Sequence, residues 1–214
     1  MHKIENSFAT MLQTKVRKKQ TGSEELKEAL FQLGEYMSME IIGNEFLESE
    51  CVTTPLDEQF HGLIMIQPKT MVISTKDDYE YFAAGISKNL NNCLRGYMDF
   101  AGLKGVQTLS SSIRSVSLPE INNGEIIDTI IVAKSVLATG CTAISLLKKA
   151  IEVYNPSNII VASVFYSNQG VSELKMKMPK CKIYVCGDAD LINKDGMLVP
   201  GIGNLDKRLS ASNV

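Results

Sequence analysis

Ile126-Ile127-Asp128-Thr129-Ile130-Ile131-Val132-Ala133 leads through Lys134-Ser135-Val136-Leu137-Ala138-Thr139-Gly140-Cys141-Thr142 into the helical stretch from Ala143 to Tyr154. The first segment is an apolar run of strand length, and the last has the periodicity of a helix. A second apolar strand follows at Asn158 to Phe165, a short helix at Val171 to Met178, and a third strand at Lys182 to Cys186. This β-α-β-α-β alternation predicts a parallel sheet with helices on its faces. Right-handed crossovers then place the strand-to-helix loops along one edge, where open α/β sheets bind ligands.

Toward the N-terminus the pattern is less regular. Thr21-Gly22-Ser23-Glu24 reads as a capping box opening a helix whose stripe is Leu26, Leu30, Leu33, Met37 and Ile41, ended by Gly43-Asn44. The basic run Lys15 to Lys19 reads as a solvated face. Pro55 and Gly62 bracket a loop or short hairpin, Met71 to Ser74 is a short strand, and Tyr79 to Leu90 a helix. Gly96 to Leu118, β-branched and Ser-rich, suggests strands with a mobile connection.

The chain has 214 residues, 44% hydrophobic and 21% charged, which suits one folded domain over residues 1–214. With 22 basic and 24 acidic side chains it has no cationic excess to condense on a phosphate backbone, so no nucleic-acid partner is expected. The five cysteines are odd in number and widely spaced, and the two histidines make no zinc spacing with them, so no metal site is expected. No apolar run reaches the ~20 residues of a membrane span, and Met1 to Gln20 is polar, so the expectation is a reduced, cytoplasmic protein without a membrane partner.

Two segments carry candidate chemistry. Leu137 to Thr142 is a small-residue turn between a strand and a helix, with free backbone N–H groups, the positive helix end and two hydroxyls. Those are the ingredients of a phosphate cradle. It is not a Walker A loop, since Gly-Lys-Ser/Thr is absent. An ordinary helix cap by Thr139 or Thr142 is the competing reading. The second segment is Val199-Pro200-Gly201-Ile202-Gly203-Asn204-Leu205-Asp206-Lys207-Arg208, whose paired glycines can bring backbone close to a planar ligand. Asp206 stands where a dinucleotide fingerprint needs a third glycine, and a plain turn is the competing reading.

Together these segments resemble the uracil phosphoribosyltransferase family, which has Ala-Thr-Gly followed by small or hydroxyl residues, and a later Pro-Gly-Ile/Leu-Gly. Val52-Thr53-Thr54-Pro55 with Phe60-His61-Gly62, and the opening Thr14 to Thr21, are similar to further family stretches. The resemblance implies a type I phosphoribosyltransferase fold: α/β, a parallel sheet flanked by helices, with a small hood and a homodimer. It implies transfer of ribose 5-phosphate from phosphoribosyl pyrophosphate to uracil or a related pyrimidine in nucleotide salvage, with Mg2+ accompanying the pyrophosphate. Ala138, Thr139, Gly140, Cys141 and Thr142, with Lys134, would then bind the phosphorylated sugar. Val199, Gly201, Ile202, Gly203 and Asn204 would read the base, and Lys76 and Asp206 would be catalytic.

The departures from the family pattern fall on chemical positions. Lys134-Ser135-Val136 stands for the family's Asp-Pro-Met, Lys76-Asp77-Asp78-Tyr79 for Arg-Ala/Ser-Gly-Glu, and Asp206-Lys207-Arg208 for Gly-Asp-Arg. Gln169 precedes Gly170 where the family has Pro-Glu-Gly, and Ser210-Ala211 replaces an aromatic-glycine ending. Losses around one pocket leave two alternatives to the family reaction. One is a degenerate homologue that binds a phosphorylated ligand without turnover. The other is a repurposed enzyme in which Lys76, Asp77, Asp78, Lys134 and Asp206 serve a different substrate.

Overall fold

A computed structural model describes residues 1–66, 68–100, 113–121 and 125–210. The elements are β1 (His2–Ile4), α1 (Ser7–Arg17), α2 (Ser23–Glu45), β2 (Leu47–Thr53), β3 (Gln59–Met65), β4 (Thr70–Thr75), α3 (Lys76–Tyr79), α4 (Phe82–Lys88), β5 (Cys93–Asp99) and β6 (Ser115–Ser117). The second half has β7 (Thr129–Ala133), β8 (Val136–Leu137), α5 (Cys141–Tyr154), β9 (Asn158–Ser163), β10 (Phe165–Tyr166), α6 (Asn168–Lys177), β11 (Lys182–Cys186), β12 (Leu191–Ile192), β13 (Leu198–Val199) and α7 (Leu205–Ser210).

The expected parallel sheet is present. Its order is β1-β11-β9-β7-β4-β5-β6, parallel throughout except for the antiparallel edge strand β6. Period-two alternation splits each central strand between two cores. Val72, Ile131, Ala133, Ile160, Ala162 and Tyr184 face α1, α2 and α4. Met71, Ile73, Ile130, Val132, Val161 and Ile183 face α5 and α6. With both faces covered, the strands read as continuous apolar runs, which is why the second half was legible as sequence.

The chain leaves β4 toward β5 on one side and returns to β7 on the other. The carboxyl ends of β4 and β7 therefore flank a topological switch point, the place where such sheets leave a crevice. Lys76 to Asp78 follow β4 and Lys134 follows β7, so chain topology alone puts them there.

Local expectations fared unevenly. The α2 stripe Leu26, Leu30, Leu33, Met37 and Ile41 is buried throughout. The capping box is not formed: Gly22 holds the cap position without a side-chain bond, and the Thr21 hydroxyl instead donates to Lys15 O at 2.6 Å. Gly43-Asn44 does not stop α2, which runs to Glu45. The Tyr79–Leu90 helix is two pieces, α3 and α4, separated at Glu80-Tyr81. Asn158 to Phe165 divides at Val164, where β10 leaves the main sheet to pair with β8. Gly62 lies inside β3, opposite Glu50, in a hairpin longer than expected. β5 and β6 supply strands within the unclear stretch, whose expected mobile connection at 101–112 lies outside the described residues, as does Ala211.

Candidate active site

Beyond the strand ends lies a cavity of about 830 Å3. Its walls come from five places: Thr75 to Asp77 after β4, Met98 to Phe100 after β5, Lys134 with Val136 to Gly140, Thr142 and Ala143 around the β8–α5 turn, Lys194 to Leu198, and Ile202, Gly203, Leu205 and Asp206.

The β8–α5 turn is built backbone against backbone. Gly140 adopts φ +77° and holds the cap position of α5 without a side-chain bond, so neither Thr139 nor Thr142 is the cap. A Cβ on Gly140 would stand 2.7 Å from Gly170 O, and one on Gly170 would stand 2.4 Å from Ala138 O. Two such contacts admit glycine alone at both positions. Ser167 fastens the turn from behind: its hydroxyl donates to Ala138 O at 2.5 Å and accepts from Gly170 N at 2.9 Å. With their side chains freed from capping, Thr139 and Thr142 line the cavity at the start of a 14-residue helix. A helix N-terminus with free N–H groups and hydroxyls is suited to one phosphate group.

The opposite wall is anchored by two arginines. Arg17 grips Asp190 with both guanidinium nitrogens at 2.9 Å, donates to Gly201 O at 3.0 Å, and stacks 4.8 Å from the Phe165 ring centre. Arg208 donates to Ile202 O at 2.9 Å, Val16 O at 2.6 Å and Lys18 O at 2.9 Å. Gly201 has φ +59°, and a Cβ there would stand 2.1 Å from Leu198 O. The basic run is thus not merely a solvated face: Val16 is buried and Arg17 holds the 201–203 loop.

The floor holds the charged groups. Lys134 Nζ lies 2.5 Å from Asp78 Oδ2, with Asp78 fully buried and Lys134 14% exposed at its side chain. Thr75 Oγ1 donates to the same oxygen at 3.2 Å, while Asp78 Oδ1 has no hydrogen-bond partner. Lys76 stands 3.9 Å from Asp99. The Asp77 carboxyl is pushed up to about 6, chiefly by burial and next by the neighbouring Asp206 carboxyl, against the pull of Lys134.

The structure thus brings Lys76, Lys134, Ala138, Thr139, Gly140, Thr142, Ile202, Gly203 and Asp206 onto one cavity. Cys141 is not part of its wall; its side chain is buried. Val199, Gly201 and Asn204 are not wall residues either. Val199 is turned outward, Gly201 supports the loop through its carbonyl, and Asn204 Oδ1 accepts from Lys207 N at 3.2 Å. Sequence reasoning missed the turn at Lys194 to Met197, folded around Asn193, whose side chain accepts from Asp195 N at 3.0 Å and Met197 N at 2.9 Å. That Asn-x-Asp-Gly turn, between the paired strands β12 and β13, was a readable signal. It is an auxiliary two-stranded element outside the main sheet. Among the described residues no cluster of three metal-ligating side chains occurs, and no helix is long and apolar enough to cross a membrane.

Residues 4–210 match the uracil phosphoribosyltransferase family model. The uracil phosphoribosyltransferase of Thermococcus sibiricus is 29% identical over 196 residues, 91% of this chain and 82% of that protein. That of Methanococcus vannielii is 28% identical over 196 residues, with the same shares covered. A solved structure of the AQ2163 protein from Aquifex aeolicus matches with a TM-score of 0.76 at 22% identity, covering 99% of each chain, and shares the fold.

Proposed function

The chain belongs to the uracil phosphoribosyltransferase family, and we propose that it transfers ribose 5-phosphate from phosphoribosyl pyrophosphate to uracil or a related pyrimidine, releasing pyrophosphate. One observation carries this reading. A turn fitted for a phosphate, with Thr139, Gly140 and Thr142 on the wall, lines one cavity with Ile202 and Gly203 beyond the ends of the sheet's strands. The 5-phosphate would sit on the α5 terminus, and the planar base would lie against the 202–203 backbone. Lys76 would meet the pyrophosphate, and Asp206 would handle proton or charge at the reacting end. Mg2+ would arrive on the pyrophosphate oxygens as part of the substrate, and Asp99 on the wall is an oxygen ligand of the kind it accepts. The exposed apolar side chains of the β2–β3 hairpin, Val52, Phe60, Leu63 and Ile64, support a homodimer.

The Lys134–Asp78 pair favours a second reading. Lys134 spends its charge on Asp78 rather than on a ligand, which suits a homologue that binds a nucleotide without turnover. Isothermal titration of phosphoribosyl pyrophosphate with Mg2+, of UMP and of uracil, with product analysis of the mixtures, separates the two. UMP formation establishes transfer. UMP binding without product leaves the second reading, and binding of none of the three overturns both.

A further inference from the structure

Where β10 leaves the main sheet, β9 and β11 part. Their pairing stops at Ser163 and Val185, and the next carbonyl on each strand is taken by one side chain of α1. Gln13 is buried, and its Nε2 donates to Val164 O at 2.6 Å and to Cys186 O at 3.0 Å. Two carbonyls need both hydrogens of one amide, so the Gln13 amide spans the split and satisfies a buried acceptor on each side of it. Gly187 makes room for this amide: a Cβ there would stand 2.8 Å from Gln13 Oε1, at a residue with φ +65°.

The split is where the strand behind the phosphate turn takes its direction. Val164 N and Phe165 N both donate to Ser135 O, at 3.2 and 2.9 Å. β10 then runs parallel to β8, with Phe165 beside Val136 and Tyr166 beside Leu137. The next residue is Ser167, which fastens Ala138 and Gly170. Gln13 therefore holds the root of the strand whose far end holds the turn. We infer that Gln13 is a positioning residue for the phosphate turn, acting through β10 and Ser167. Without its two hydrogens, the Val164 and Cys186 carbonyls lose their donor, and the root of β10 must shift to regain one. The turn has little slack to absorb that shift, because Gly140, Gly170 and Ala138 already meet backbone to backbone. Arg17, one helical turn further along α1, grips the Gly201 carbonyl. One helix thus braces the cavity at two points, Gln13 at the turn and Arg17 at the 201–203 loop.

The ligand arm of the test rests on the proposed phosphate seat and uses ribose 5-phosphate and uracil as separate probes. Gln13→Met keeps the length of the side chain and removes both hydrogens. Its affinity for ribose 5-phosphate should fall roughly tenfold, the loss of about one phosphate hydrogen bond, with uracil affinity held within about twofold. A residue that served stability alone would not separate the two probes. Gly187→Ala is the second variant, useful if the first does not fold. It leaves Gln13 in place but pushes on its amide, and it should give the same selective loss in weaker form. Equal losses for both probes, or unchanged ribose 5-phosphate affinity, overturn the proposal. Amide hydrogen exchange needs no ligand: in either variant it should rise at Gly170 N, which is bonded to Ser167 Oγ, while Met71 to Ile73 in β4 stay protected. Unaltered exchange at Gly170 overturns the proposal as well. Failure of ribose 5-phosphate to bind the wild type counts against the proposed function, and the exchange measurement still decides the role of Gln13.

Discussion

Lys134 Nζ sits 2.5 Å from the buried carboxylate of Asp78, so two residues that depart in charge from the family pattern satisfy each other. One departure alone would strand a charge beneath the cavity. Removing one partner of a buried pair costs about 3–5 kcal/mol, because the other charge is left uncompensated. Lys134→Met should therefore destabilise the protein by about 3–5 kcal/mol. Lys134→Met with Asp78→Asn should cost clearly less than the sum of the single changes. Chemical denaturation of the two singles and the double measures the coupling, and additive effects would mean that the pair does not act as a unit.

The cradle prediction concerns binding. Thr139→Val with Gly140→Ala removes a hydroxyl and puts a Cβ 2.7 Å from Gly170 O at a residue with φ +77°. Affinity for any phosphorylated ligand should fall by at least ~1–3 kcal/mol, the cost of lost phosphate hydrogen bonds. Titration with UMP checks this, and unchanged affinity would take the β8–α5 turn out of the site. Thr139→Val alone should leave stability nearly unchanged, since Thr139 is not the helix cap.

Arg17 yields a prediction about the base wall. Its guanidinium bridges Asp190, which is 4% exposed at its side chain, and the carbonyl of Gly201. Arg17→Met should cost about 3 kcal/mol of stability by leaving a buried carboxylate unpaired. Arg17→Lys should recover only part of this, because an ammonium cannot fill a two-pronged grip. Thermal unfolding reads the cost. Uracil binding should weaken in Arg17→Lys more than UMP binding does, since the α5 cradle still holds the phosphate. Equal losses for both ligands would mean that the arginine does not act through the 201–203 loop.

How much of this was legible in the sequence follows from where the information resides. The β7-to-β11 half was readable because strands buried on both faces are continuous apolar runs, and Ile126 to Cys186 contains three of them. The α2 stripe was readable through its helical spacing. The break at Glu80-Tyr81 was not, because α4 is fixed by packing Phe82, Ala83 and Ile86 against α2 rather than by a local signal. The two glycine loops were legible as candidates, but which of their residues face the cavity depends on contacts far away in sequence. Gly140 is dictated by Gly170 and Gly201 by the Leu198 carbonyl, so Cys141 and Val199 could not be separated from their neighbours beforehand. Likewise Lys134 and Asp78 read as two separate losses, and only the sheet order places β7 beside β4 and makes them one pair.

The thiols give a prediction about reactivity. Burial pushes Cys93 up to about 11, Cys181 up to about 12 and Cys186 up to about 11, and Cys141 is buried. Cys51 alone is exposed, on β2, with its sulfur 4.0 Å from His61 Nε2. Thiolate is the reactive species, so alkylation of the native protein near neutral pH should label Cys51 first and the other four only on unfolding. Peptide mapping after a short exposure to iodoacetamide checks the order. Early labelling of Cys186 would mean that the α1–β11 side of the sheet opens readily.

The last prediction concerns stability against pH. Asp77 is raised from the ordinary 3.8 to about 6 in the folded protein, so folding favours its protonated form. The sign follows from linkage: its contribution is fully present below the unfolded value and is lost as pH rises through the folded one. Wild-type stability should therefore decline between about pH 4 and pH 6 on account of this residue, opposite in direction to the ordinary salt-bridged aspartate. Asp77→Asn cannot ionise and keeps the side chain's size. It should be more stable than the wild type above about pH 7, with the advantage shrinking as the pH falls. Denaturant midpoints across that range measure the difference, and a constant offset at every pH would show that Asp77 does not hold the proton.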